Sequence, residues 1–377
     1  MSELFIPLAL IGGIGLLLVL TQLFRKLDHA NAILAQEVNP SSDSLSGRAF
    51  LQIAKWYVYL PATVIGFGMV VGYQMQRNAA ATAMIEQKGI AVAKFDTTHL
   101  WQAPELASML GEKNYSEIQY GYDLISHTAD YLGPQGTVAT VSNGMNCQNC
   151  HLAAGSKPWG NNYSAVAATY PKFRARSGAQ ETIAKRVNDC FQRSLNGKGI
   201  DSTGKEMMAI IAYIEWLGGY VPKGRAPKGA GLTKLKYLTR AAKPDSGRVV
   251  FVNKCQSCHG TDGQGLEMPL SSGRRYPPLW GANSYNEAAG LFRLSSFAGY
   301  VKSNMPFGAS FDSPQLTDAE AWDVGAFVNS QPRPRHPFLA TDWPKMESKP
   351  IDHPFGPYRD SFSEVRHKYG PFGGMAK

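Results

Sequence analysis

Two short runs, "CQNCH" at residues 147–151 and "CQSCH" at residues 255–259, constrain this chain more than anything else in it. C-x-x-C-H is the attachment signature of a c-type haem, in which two cysteines form thioethers to one porphyrin and the histidine behind them supplies an axial ligand. Cys147, Cys150 and His151 therefore hold one haem, and Cys255, Cys258 and His259 a second. A redox C-x-x-C or half of a zinc site fits less well. Each pair carries its histidine directly behind it, and no further Cys or His pairs stand at zinc spacing.

The N-terminal quarter is of another kind. "FIPLALIGGIGLLLVLTQLF" (residues 5–24) and "WYVYLPATVIGFGMVVGY" (residues 56–73) each approach the roughly 20 apolar residues of a bilayer-spanning helix. A cleaved signal peptide would begin with a basic n-region, whereas this chain begins "MSEL". The segment between the two runs, residues 25–55, carries Arg25, Lys26, Arg48 and Lys55, which assigns it to the cytoplasm and both flanks to the opposite side. The expectation is a two-helix transmembrane hairpin over residues 1–76, in an inner (cytoplasmic) membrane, with the remainder facing the periplasm or cell exterior. Gly68 and Gly72 form a GxxxG pair suited to close packing of such helices.

The exported part reads as mainly α. A stalk and N-terminal haem domain occupy residues 77–230, a C-terminal haem domain residues 231–335, and an extended wrap without periodicity residues 336–377. The Lys-, Gly- and Pro-rich stretch at residues 221–236 marks the boundary. Capping-box pairs Ser177/Gln180, Thr203/Glu206 and Thr317/Glu320 predict three helix starts. The formal charge of +9 is spread along the chain, with no basic run and no aromatic interleaving, which excludes a nucleic-acid partner. A modest positive field suits an anionic substrate or an acidic redox partner.

Each haem needs a sixth ligand or an open face. For the second, "SNMPFG" offers Met305, 46 residues past His259 (305 − 259), with a packing Met as the alternative. Met268, nine residues past His259 (268 − 259), is too close to round the haem edge. The first haem has no comparable Met, since Met207 and Met208 complete the apolar face of a helix. Cys190 stands 39 residues past His151 (190 − 151), much where Met305 stands in the other unit. It is the fifth cysteine of five, left without a disulfide partner once the haems take four. A buried free cysteine acting as a small hydrophobe is the alternative. Helical spacing places Arg186, Arg193 and Ser194 beside it, and cations beside a cysteine favour the thiolate, the form that ligates metal and attacks sulfur. Either arginine could equally pair with a haem propionate.

The runs "YLGPQG", "NGMNCQNCHLAAG", "YPKFRARSG" and "RVNDCFQRSLNGK", with "YPPLWGANSYN", "SNMPFG" and "DHPFGPYRDSF" further on, resemble the dihaem thiosulfate dehydrogenases, which form tetrathionate. The resemblance implies that His151 and Cys190 ligate an active-site haem and that a His259/Met305 haem relays electrons. It further implies that the Cys190 sulfur takes part in joining two thiosulfates, in some relatives reversibly. Arg174, Arg176, Arg186 and Arg193 form the pool of dianion-binding groups, with Arg186, Arg193 and Cys190 expected as the catalytic set. A cytochrome or terminal oxidase is the expected electron acceptor. Certain family members place a Lys directly before the distal Met; here that residue is Asn304. The hairpin, absent from soluble members, favours a rival reading as a non-catalytic electron-transfer subunit of a membrane respiratory complex.

Overall fold

The computed structural model of the chain describes residues 99–267, 274–337 and 339–375, with scattered N-terminal positions at 22, 25, 29, 68, 69 and 71–76. The chain divides into two compact units, Met1–Ala79 and Ala80–Lys377. The expected spans 5–24 and 56–73 lie almost wholly outside the described residues. Among the described residues no helix is long and apolar enough to cross a membrane, so the expected hairpin finds no support there.

Within Ala80–Lys377 the haem motifs sit in two helical lobes built on one plan. In the first lobe, α1 (Tyr115–Ser126) precedes Cys147, followed by a two-stranded antiparallel hairpin, β1 (Lys172–Arg174) and β2 (Ala179–Glu181), then α2 (Ile183–Arg193) and α3 (Lys205–Gly218). The second lobe has α4 (Pro244–Lys254) running into the turn that carries Cys255 and His259, then α5 (Leu294–Asn304) and α6 (Asp318–Ser330). Helices α1 and α3 cross closely in one lobe, as α4 and α6 do in the other. A glycine sits at each crossing. A Cβ on Gly121 would lie 1.9 Å from the Ala209 carbonyl oxygen, and one on Gly247 would lie 1.9 Å from that of Asp323. Neither contact tolerates a side chain, so the two helices can approach backbone to backbone only with glycine there.

Apolar spacing explains the cores. Met207, Ile210, Ile214 and Leu217 recur on the inner face of α3 and are almost fully buried, with Leu124, Ile125 and Phe191 packed against them. Each such side chain contributes about 1.5–3 kcal/mol on burial. Met208 departs from the expectation of a continuous apolar face, being 45% exposed: the 100° step from Met207 carries it outward. The second core gathers Phe251, Phe297, Trp322 and Val324.

The expected capping box forms in one case of three, although two of the three helices start within a residue of where they were expected. Thr317 and Glu320 form a complete capping box, with Thr317 Oγ1 accepting from Glu320 N (3.1 Å) and Glu320 Oε2 accepting from Thr317 N (2.7 Å). Ser177 and Gln180 do not start a helix. They lie in the turn and second strand of the hairpin, where Gly178 takes φ +66°, and α2 is instead capped by Thr182, whose Oγ1 accepts from Lys185 N (3.2 Å). Thr203 folds back on Asp201, leaving Gly204 at the N-cap of α3.

The lobes and the C-terminal segment interlock through buried polar groups. Tyr300 donates to the Asn149 carbonyl (2.9 Å), Asn304 to that of Trp159 (3.0 Å), and Asn286 to that of Gln192 (2.8 Å). The stretch at 221–236 is not a free tether, because Trp159 N and Asn161 N donate to the carbonyls of Gly229 (2.7 Å) and Gly231 (3.0 Å). The C-terminal segment crosses both lobes. Trp343 N donates to the Arg176 carbonyl (2.7 Å) in the first, and the Tyr369 carbonyl accepts from Ala242 N (2.8 Å) in the second. Among its described residues it is largely irregular, with 3-10 turns at Leu339–Thr341 and Met346–Ser348 and one short α-helix at Glu364–Tyr369.

Candidate active site and haem pockets

Each C-x-x-C-H histidine is held by a carbonyl that fixes one ring nitrogen. His151 Nδ1 lies 2.5 Å from the Asn161 carbonyl and His259 Nδ1 lies 3.0 Å from that of Pro277. Nδ1 is thereby the donor and Nε2 is left with its lone pair, the form in which imidazole ligates a metal. Burial lowers the pKa of both rings, to about 4 for His151, so both are neutral; the carbonyl bonds oppose the shift only in part.

A cavity of about 680 Å³ lies beside Cys255, Cys258 and His259, with Met305 also on its wall. Its remaining lining includes Phe251, Leu279, Phe297, Val301, Leu316 and Val324. An apolar chamber with a neutral imidazole and a thioether among its walls fits a haem. Met305 is presented there because α5 stops at Asn304 and the following residue, backed by Pro306, turns extended. Asn304, directly before it, is pinned through its Nδ2 to the carbonyls of Trp159 and Tyr300. Met268 lies outside the described residues.

A second cavity, about 230 Å³, is lined by Cys150, His151 and Cys190, and its character is different. Arg174, Arg176, Arg186, Arg293 and Trp343 face it, along with the acids Glu181 and Asp189. A neutral histidine and a cysteine sulfur on the wall of one chamber beside an attachment cysteine are a donor set suited to haem iron, in a chamber about a third the volume of the first. Cys150, Tyr285 and Leu291 line both cavities, so the two chambers share a wall.

The structure sorts the four arginines of the sequence pool. Arg186, one turn before Cys190 on α2, makes no hydrogen bond among the described residues. Its pKa is held above the ordinary arginine value, chiefly by Cys190, against the opposing effect of burial. Among the described residues, the Arg174 side chain, at the end of β1, has only a loose ion pair, its Nε 3.9 Å from Glu181 Oε2. Arg176 is 16% exposed and gives Nη1 to the Ala288 carbonyl (2.8 Å). Burial, and then repulsion from Arg193, brings its pKa down to about 10, so an arriving anion would stabilise its charged form. Arg193 does not line the cavity. It makes a bidentate pair with Asp342 (2.7 and 2.8 Å) and has Asp189 at 3.8 Å, so its charge is already matched within the protein.

Three residues with a part here were not singled out from the sequence. Asp342 and Trp343 come from the C-terminal segment, and the Arg176 guanidinium lies 5.7 Å from the Trp343 ring. Glu181 closes the hairpin behind the arginines. An acid–Trp–Pro run inside an otherwise irregular tail ("TDWP") was the available signal for the first two; Glu181 carries none.

Known proteins bear on this arrangement. Residues 137–218 match the family described as SoxA/TsdA, cytochrome c domain, and residues 242–328 the family described as cytochrome c oxidase, cbb3-type, subunit III. Two cytochrome c domains carry two covalently bound c-type haems. Thiosulfate dehydrogenase of Psychrobacter arcticus is 33% identical over 245 residues, which cover 65% of this chain and 72% of that protein. That of Allochromatium vinosum is 36% identical over 233 residues, covering 60% and 80%. Among solved structures, thiosulfate dehydrogenase (TsdBA) of Marichromatium purpuratum superposes with a TM-score of 0.58 at 29% identity, over 63% of this chain. The matched region spans about half of that structure, 51% of its chain.

Proposed function

The chain belongs to the thiosulfate dehydrogenase family, and from that premise we propose that it joins two thiosulfates into tetrathionate in the cavity shared by His151 and Cys190. The balance is 2 S₂O₃²⁻ → S₄O₆²⁻ + 2 e⁻: one S–S bond forms between the terminal sulfurs, no proton moves, and two electrons leave. Two haems, when bound, would supply two one-electron acceptors.

The observation that carries this reading is the pair of guanidinium groups beside Cys190 that make no side-chain hydrogen bond among the described residues. Arg174 and Arg186 open onto the cavity, and a guanidinium presents donors matched to sulfonate oxygens as it is to phosphate. Arg176, already half committed to Ala288, contributes charge more than bonds. These groups hold two dianions against their mutual repulsion, which is the main obstacle to joining them. In this reading His151 and Cys190 would hold the iron of the first haem, and His259 and Met305 that of the second. Cys150, Tyr285 and Leu291 form the wall that the two cavities share. Arg193 acts through Asp342 on the placement of α2 rather than on substrate.

The same reading places the haem lobes in the periplasm or cell exterior, where c-type haems are attached, with a cytochrome or terminal oxidase as acceptor. It retains the membrane hairpin at residues 1–76 as a proposal resting on the two apolar runs.

Mixing the purified, oxidised protein with thiosulfate tests it. Reduction of the haem bands, reversed by tetrathionate, is the expected result. No reduction by thiosulfate would return the chain to the electron-carrier reading. Cys190→Ala should change the bands of the first haem alone and abolish that reduction.

A further inference from the structure

The cavity beside Cys190 contains an acid for which the proposed chemistry has no evident use. Glu181, the last residue of β2, is 3% exposed and faces the same space as Arg174 and Arg186. Its Oε2 is buried and has no hydrogen-bond partner among the described residues; Arg174 Nε stands 3.9 Å away, an ion pair without a hydrogen bond. A buried acceptor left without a donor costs on the order of 1–3 kcal/mol, and more when it is charged. A carboxylate here also repels the dianions that the arginines attract. The two neighbouring acids differ, since Asp189 is bonded by Lys185 (2.5 Å) and Asp342 by Arg193.

Because joining two thiosulfates moves no proton, Glu181 is not needed as a general acid or base. Nor can it bond the substrate, whose oxygens are acceptors like its own. What remains is electrostatic. We propose that Glu181 is a positioning residue: it holds Arg174 and competes with bound dianions for Arg174 and Arg186, so that it sets the affinity of the site for dianionic sulfur oxyanions. The hairpin suits this role. Arg174 and Glu181 lie on paired strands, and the turn between them abuts Pro344 of the C-terminal segment. A dianion entering between Arg174 and Arg186 takes over the donors that Glu181 only approaches, and the carboxylate then weakens the hold on product as well as on substrate. This inference rests on the thiosulfate reading for the identity of the dianion, but not for the charge balance of the cavity.

The test uses sulfate, an unreactive dianion with the same kind of oxygen face, titrated into the oxidised dihaem protein and followed by calorimetry and by the first-haem bands. Glu181→Gln should bind sulfate on the order of tenfold more tightly than wild type, since a negative charge in a confined site is removed. Its KM for thiosulfate should fall in parallel without a rise in kcat. Its first-haem reduction potential should move upward, because the lost charge had favoured ferric iron. Glu181→Asp, which keeps the charge, should retain wild-type sulfate affinity, and Glu181→Ala should repeat the Gln result if the Gln protein does not accumulate. Sulfate affinity unchanged or weakened in the uncharged variants overturns the proposal, as does a first-haem spectrum altered to that of a lost ligand. Failure of thiosulfate to reduce the wild type would count against the parent reading, while the sulfate titration still decides the role of Glu181.

Discussion

Removing the charge of Asp342 should loosen the helix that carries Cys190, although Asp342 lies outside both lobes in sequence. Its side chain is 4% exposed and that of Arg193 11% exposed, and the two share bonds of 2.7 and 2.8 Å. Two charge-assisted bonds at about 1.5–3 kcal/mol each set the upper scale. Breaking a buried pair from one side costs about 3–5 kcal/mol, because the other charge stays buried. Arg193 would keep Asp189 at 3.8 Å, which softens the loss, whereas Arg176 would lose the carboxylate 3.9 Å from its Nε. Asp342→Asn, which can still accept one bond, should therefore fall near 3 kcal/mol and Asp342→Ala nearer 5 kcal/mol. Urea unfolding followed separately by far-ultraviolet dichroism and by the haem bands measures this. The first-haem bands should give way before those of the second. Arg193→Met combined with Asp342→Leu should recover most of the stability, since an apolar pair of similar volume leaves no charge stranded. A midpoint shift under about 1 kcal/mol for Asp342→Ala would refute the assignment of a buried, structurally committed pair. So would a double variant as unstable as the sum of the singles.

Other outcomes follow from the same geometry. Gly121→Ala and Gly247→Ala should each destabilise their own lobe by at least the roughly 1–3 kcal/mol of ordinary overpacking, because the new Cβ meets a carbonyl oxygen at 1.9 Å; selective loss of the corresponding haem bands on heating checks this. Arg186→Gln should raise KM for thiosulfate by on the order of tenfold or more while leaving the second haem's bands unchanged, as read by steady-state kinetics and spectra. Burial pushes the His353 pKa down to about 2, from an ordinary value near 6.5, and its Nε2 accepts from Trp343 Nε1 (3.0 Å). Between those values the unfolded chain binds a proton that the folded chain does not, so this stability is full above pH 6.5 and is lost as pH falls below it. By pH 5 the loss is about 2 kcal/mol, and His353→Gln should show that much less acid sensitivity in urea midpoints at pH 7 and pH 5.

The parts legible in the sequence are those encoded locally. C-x-x-C-H needs only adjacent residues, and the Thr317/Glu320 box is a four-residue device. The apolar face of α3 repeats at helical spacing, though the same reading included Met208, which lies outside. Ser177/Gln180 has the letters of a box but sits where Gly178 turns the chain into a hairpin, with Pro344 and Trp343 of the tail packed against it. Tertiary contact overrode a local signal there. The fate of Arg193 was illegible for the same reason: helical spacing puts it beside Cys190, but nothing nearby in sequence indicates that a carboxylate 149 residues away claims it.

The two lobes show how one scaffold comes to hold two different sites. Each crosses a helix preceding its C-x-x-C-H with its last helix at a glycine, and each holds its histidine through Nδ1 by a carbonyl. They diverge in what faces that histidine. In the second lobe α5 ends and the chain turns extended, offering Met305 from a loop in an apolar chamber. In the first lobe the corresponding place is taken by α2, with Cys190 in its last turn, and ahead of α2 stands the hairpin bearing Arg174, Arg176 and Glu181. A helix presents a side chain together with its neighbours one turn away, so Cys190 arrives with Arg186 on one side and Arg193 on the other. One of these is left to the cavity and the other is held by Asp342. The charged environment of the sulfur is thus a consequence of placing it on a helix, and the C-terminal segment decides which of its charges a substrate can meet.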